Sequence, residues 1–213
     1  MKVVSYSGGL SSIRVVSDEI APIKGVHLPT LFAAVAARYH CDAAPTLEEA
    51  AKTGARFRNG RMEGTEGQIN IGELGVFNDG VSVVTTNTAD SDRVLGDVQN
   101  WLQHEFHFRE PTTTPIRYCQ SDLVVKFANA PDRLLAPFAQ LVEFVQSETA
   151  RPMAFSRFAF GAESSAGPIS EFVVERRVGV PWSEELYFSK ASISTRAHIR
   201  ALEMFDSILE KAA

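Results

Sequence analysis

His104 and His107 stand three residues apart in a segment whose apolar residues recur at helical spacing, so both rings can turn toward one metal ion, with Cys119 as a third ligand. The same pair belongs to a polar stripe, Arg93, Asp97, Asn100, His104 and His107, opposite Trp101 and Leu102, and such a stripe reads as a solvated helix face. No dedicated ligand motif surrounds it, so no metal and no cofactor is assigned. His40-Cys41 is no stronger, because adjacent helical residues point in different directions. His198 is spaced with Leu202, Phe205 and Leu209 on the apolar side of the last helical segment, where a ring can carry a proton or simply hydrogen-bond a neighbouring strand. No serine, cysteine or carboxylate is identified beside it, and no catalytic residue is assigned. The carboxylate pairs Glu184-Glu185 and Asp90 with Asp92 fit a turn and a helix start, and carry no reaction.

Binding chemistry is better represented. Arg56-Phe57-Arg58-Asn59-Gly60-Arg61 gathers three arginines around an expected hairpin tip, where Arg56, Arg58 and Arg61 can meet an acidic partner, a phosphate or a ligand carboxylate. Trp182 and Tyr187 follow Pro181 in an expected loop and short strand, and loop aromatics are common anchors of protein interfaces.

One short stretch suggests a different class. Ser7-Gly8-Gly9-Leu10-Ser11-Ser12, after the strand-like Lys2 to Tyr6, resembles the SGGxDS pyrophosphate loop of PP-loop ATP pyrophosphatases over six residues. The resemblance implies a strand, a loop at Ser7, Gly8 and Gly9 whose N–H groups approach the pyrophosphate of ATP, and a following helix. Ser11 stands where that family carries an acidic residue, and Ile13, Val15 and Val16 favour a strand. Read on their own, residues 2 to 6 and 10 to 16 form a hairpin turning at Ser7-Gly8-Gly9.

Acidic residues outnumber basic ones by 26 to 21, a formal charge of −5 without a basic block, which disfavours nucleic acid as the main partner. Two cysteines make no disulfide framework, and the N-terminal residues lack a secretory pattern. No stretch approaches the ~20 apolar residues needed to span a bilayer, so the expected setting is cytoplasmic and away from membranes.

The elements follow from period and punctuation. Pro29-Thr30 opens a helix with Phe32, Val35, Ala36 and Tyr39 on one face, and Thr46 with Glu49 forms a capping box for a short helix ending at Gly54. Residues 55 to 86 read as three strands reversing at Asn59-Gly60 and Asn78-Asp79-Gly80. A helix over about 90 to 108 follows, then the linker-like Pro111 to Pro115, a strand from Ile116 to Phe127 and a helix from Pro131 to Glu148 carrying Leu134, Leu135, Phe138, Leu141, Val142 and Val145, with Pro137 in its first turn. Strands over Met153 to Phe160 and Ile169 to Val178 flank a Gly/Ser-rich loop, Gly161 to Pro168, and a short strand near Leu186 to Phe188 precedes the last helix, Ser194 to Ala212. Phe155, Phe158 and Phe160 cannot share one face of a regular strand. No internal repeat is visible. The order predicts an α+β fold, a mainly antiparallel sheet with helices packed on it, as one domain over 1–213 with at most a weak subdivision near 111–115. The functional expectation is a protein-interaction or assembly subunit, self-associating or part of a larger complex, with a nucleotide-binding protein or enzyme using Ser7-Gly8-Gly9 or a pocket near His198 as the alternative.

Overall fold

The computed structural model describes residues 1–15, 19–20, 25–64, 67–162 and 170–212; Val16 of the expected second strand, residues 163–168 of the expected loop and Ile169 of the strand expected after it lie outside them. The fold is α+β, as the element order predicts. Its strands are β1 (Lys2–Arg14), β2 (Ala55–Gly64), β3 (Gly67–Phe77), β4 (Gly80–Thr85), β5 (Ile116–Lys126), β6 (Arg157–Ala162), β7 (Ser170–Arg176) and β8 (Tyr187–Ala191). They form one sheet in the order β2-β3-β4-β1-β5-β8-β7-β6. The helices are α1 (Leu28–Arg38), α2 (Leu47–Thr53), α3 (Thr88–Phe106), α4 (Ala139–Thr149), preceded by a 3-10 segment (Pro131–Phe138), and α5 (Thr195–Lys211).

The element order contains a repeat that the sequence hides. β1, α1 and α2, then β2, β3, β4 and α3 form one series; β5, the 3-10 segment and α4, then β6, β7, β8 and α5 form another. The strand orders match as well, β2-β3-β4-β1 and β6-β7-β8-β5. Hydrophobic period and turn positions set such an order, and many unrelated side chains satisfy both, so no residue-level repeat is required. By compactness the chain divides into a first unit, Gly8–Ser121 with Ile193–Thr195, and a second, Met1–Ser7, Asp122–Ser192 and Arg196–Ala213.

The expected opening hairpin is absent: β1 runs unbroken through Ser7-Gly8-Gly9. Neither glycine has positive φ. Gly9 is required by proximity instead, since a Cβ there would lie 2.2 Å from the Asn87 carbonyl carbon and 2.4 Å from the Thr88 nitrogen, where α3 begins. Ser91 Oγ donates to the Gly9 carbonyl at 2.6 Å, fixing that approach.

In the first unit α3 follows its cap, the Asn87 side chain accepting from Asp90 N–H at 3.0 Å. It buries Val94, Leu95, Val98 and Leu102 in the cluster that holds Phe57, Ile71, Leu74 and Val83. α1 adds Leu31, Phe32 and Val35 to that cluster, and Phe32 meets Phe57 edge to face at 6.1 Å. Thr46 and Glu49 make the expected capping box, and Gly54 ends α2 at φ 76°. The reversal expected at Asn59-Gly60 occurs elsewhere, because β2 continues to Gly64 and pairs with Gly67 there. Asn59 takes φ 53° inside β2, and Gly60 admits Cys41 and the Tyr39 carbonyl at contact distance. Beside them Asp42 N–H donates to Arg58 O and Arg61 N–H to Tyr39 O, covering the middle of the outer edge of β2.

In the second unit Leu123, Val125, Phe127, Val174 and Tyr187 pack with Leu202, Phe205 and Leu209 of α5. The helix expected over 131–148 is broken: Pro137 lies inside the 3-10 segment, and α4 starts only at Ala139. A proline in that position removes one N–H and blocks regular α-helical bonding through the turn before it. Phe155 is buried ahead of β6, while Phe158 and Phe160 share a strand face.

Candidate interaction surface

The three arginines lie along β2 rather than at a tip. Arg56 pairs with Glu73, donates through Nε to Thr53 O at 3.1 Å and sits 5.6 Å from the centre of the Phe77 ring. Arg58 approaches the same Glu73 at 3.7 Å. One carboxylate therefore faces two guanidinium groups, and Arg56 is engaged within its own sheet. A cavity of about 370 Å³ beside them is lined by Asp42, Glu49, Arg56 and Arg58, which mixes both signs of charge. Arg61 is exposed one turn of pleat further along.

Trp182 and Tyr187 part company. Trp182 is 57% exposed, but Tyr187 is 1% exposed, its ring 5.5 Å from Phe127 and 6.1 Å from Phe155. Arg176 stacks over both rings, at 4.7 and 5.2 Å, and reaches Asp132 at 3.3 Å. Tyr187 is thus a core residue in β8, where alternation turns it inward with Ser189 and Ala191.

The remaining chemical candidates are also placed by packing. Ser7, Gly8 and Gly9 are extended strand, not a loop leading into a helix. His104 ends exposed in α3, and His107 is its left-handed C-cap at φ 54°. Among the described residues no group of three or more His, Cys, Asp and Glu is close enough to hold a metal ion. Burial, with the Asp92 charge adding to it, pushes the Cys119 thiol up.

His198 does meet a serine that sequence spacing did not identify. Its Nε2 lies 2.8 Å from Ser189 Oγ, and both residues are fully buried. The Ser189 hydroxyl donates to Val173 O at 2.7 Å, so its oxygen accepts from Nε2–H. A nucleophilic pair needs the opposite polarity, serine donating to an imidazole nitrogen. This pair ties α5 to β8 and, through Val173, to β7.

The feature missed in sequence is the exposure of α4. It buries no residue, and Phe138, Leu141 and Phe144 are exposed by 58%, 59% and 61%. These positions recur every three residues, and their patterning alone reads as a core stripe. In the first series the corresponding α1 stripe is buried against Phe57; here Leu134 packs on the core, Leu135, Val142 and Val145 are half-buried, and Phe138, Leu141 and Phe144 are left outside. Compared with known proteins, the chain matches no family model, and no curated protein matches it in sequence. Among the described residues no helix is long and apolar enough to cross a membrane.

Proposed function

We propose that this chain works by binding another protein, and that Phe138, Leu141 and Phe144 on the 3-10 segment and α4 form the docking face. The carrying observation is the contrast between matching elements: α1 buries Leu31, Phe32 and Val35, while α4 and the residue before it leave Phe138, Leu141 and Phe144 in water and bury none of their apolar residues fully. Scattered exposed apolar residues are ordinary, but Phe138, Leu141 and Phe144 are three large ones at successive helical positions, and such a cluster gains its burial only from a partner. An 11-residue helix is also marginal by itself, so docking would firm it. Trp182, also exposed, adds an aromatic anchor in the same unit. Neither Ser7-Gly8-Gly9 nor His198 offers a comparable accessible group, and of the arginines of β2 Arg56 is held by Glu73 and Thr53 O.

The test is a matched pair of variants. Phe138→Ser, Leu141→Ser and Phe144→Ser combined should leave the unfolding midpoint nearly unchanged, whereas Phe32→Ala should cost about 3–5 kcal/mol through the cavity it leaves. Quantitative mass spectrometry of co-purifying proteins should find partners retained by wild type and by Arg61→Ala but lost from the triple variant. Identical retention by wild type and triple variant would remove this face from the function.

A further inference from the structure

The two outer edges of the sheet are treated differently. β2 is covered by the backbone of residues 39–42, as described above. β6 is the other outermost strand, and among the described residues it pairs with β7 alone. The segment before it directs its N–H groups elsewhere, Met153 to Gln146 Oε1 at 3.0 Å and Phe155 to Asp132 Oδ1 at 2.7 Å. The sequence of β6, Arg157-Phe158-Ala159-Phe160-Gly161-Ala162, has no proline or lysine, the residues that usually discourage edge pairing.

Which backbone groups face outward can be worked out. Arg176 N–H donates to Ser156 O at 2.9 Å, in phase with the pairs Phe158↔Val174 and Phe160↔Phe172. Alternation in an antiparallel ladder then turns Phe158 and Phe160 toward β7, and Arg157, Ala159 and Gly161 outward. A strand added to this edge antiparallel must bond to those three residues.

We infer that β6 pairs antiparallel with β6 of a second copy of this chain, with Ala159 opposite Ala159 on the two-fold axis. The register follows from the side chains. It sets Arg157 opposite Gly161 of the second copy, which has no side chain, so the guanidinium reaches over it toward Glu171 of that copy, the neighbour of Gly161 on β7, whose carboxylate holds Lys190 at 2.6 Å through Oε1 and would take Arg157 as a second cation. The same contact is made twice by symmetry. Arg157 is available for it, holding Glu175 only at 3.9 Å with its side chain 56% exposed. On the other face Phe158 falls opposite Phe160 in a non-hydrogen-bonded pair, the closer of the two kinds. Phe160 is 61% exposed and would be covered. Phe158 lies 5.3 Å from Phe205, so the turns of α5 bearing Met204 and Ile208, 68% and 56% exposed, run beside this edge and extend the apolar contact. The surface is distinct from α4, so either proposal can fail without the other.

Native mass spectrometry and sedimentation should show a dimer. Ala159→Pro removes an outward N–H that a lone edge strand can spare, and should give a folded monomer. Arg157→Glu should weaken dimerisation about tenfold, and adding Glu171→Arg should restore it. In a Cys41→Ser, Cys119→Ser background, Ala159→Cys should form a disulfide-linked dimer on oxidation, since Cα atoms of such a pair lie ~5.5 Å apart, and Phe160→Cys should not. A monomer at every concentration, a dimer indifferent to Ala159→Pro, or cross-linking through Phe160 in place of Ala159 would each overturn the inference.

Discussion

Thr88 and Thr195, the first residues of α3 and α5, satisfy each other's free N–H groups. Thr195 N–H donates to Thr88 Oγ1 at 2.8 Å, Thr88 N–H donates to Thr195 Oγ1 at 3.0 Å, and the two oxygens lie 3.2 Å apart. Helix starts leave N–H groups without intrahelical partners, and both threonines are buried, so water is a poor substitute. The two helices are 107 residues apart at this point, and neither start is built from its own sequence neighbours alone.

This reciprocity makes the pair a coupled unit. Thr88→Val and Thr195→Val each remove one hydroxyl and strand the other residue's buried N–H, at about 1–3 kcal/mol apiece. The double variant should cost less than the sum by the Oγ–Oγ bond, which both single variants lose, while the two N–H bonds are lost separately. Urea titrations of the four-member cycle measure this; strict additivity would mean that the Oγ–Oγ contact contributes nothing.

Ser189 and His198 give a second prediction, with a sign that separates structure from catalysis. Ser189→Ala should lower stability by about 1–3 kcal/mol, since it leaves the buried His198 Nε2–H without the acceptor it uses. Reaction of Ser189 with an activated fluorophosphonate should be absent in the folded protein, because the hydroxyl is buried and donates to Val173 O. Labelling of Ser189 under native conditions would contradict the polarity given above.

Cys41 titrates high. Burial first and the neighbouring Asp42 charge second push its thiol from the ordinary 9.0 to about 11. The folded chain therefore holds this proton where the unfolded chain has released it. The corresponding stability is complete below pH 9 and is lost as pH rises from 9 through 11. Thiolate being the reactive form, alkylation of Cys41 by iodoacetamide should be slow at pH 8 and rise about tenfold per pH unit toward 11. Peptide mass spectrometry across a pH series reads this directly, and a rate that levels off near pH 9 would refute it.

Residue patterns determined a good part of this protein. Thr46 and Glu49 specify their capping box because a cap is satisfied within four residues, and the alternation of Val81 and Val83 specifies one face of β4 for the same local reason. The apolar period located α1, α3 and α5, and with the strand patterns it gave the α+β class. Tertiary structure decided the rest. Gly8 and Gly9 have the composition of a turn, yet Gly9 serves the close passage of the α3 start, a contact 78 residues away that only folding creates. Asn59-Gly60 likewise stays within a strand, where Gly60 lets Cys41 and the Tyr39 carbonyl come close, instead of reversing it. Tyr187 and Phe144 show the same division from opposite sides. Both are aromatic residues that sequence alone can place in a core or on a surface, and only the packing of β8 and the break at Pro137 left Tyr187 buried and Phe144 in water. Burial depends on which elements meet, and that is a property of the whole chain, not of any segment's period.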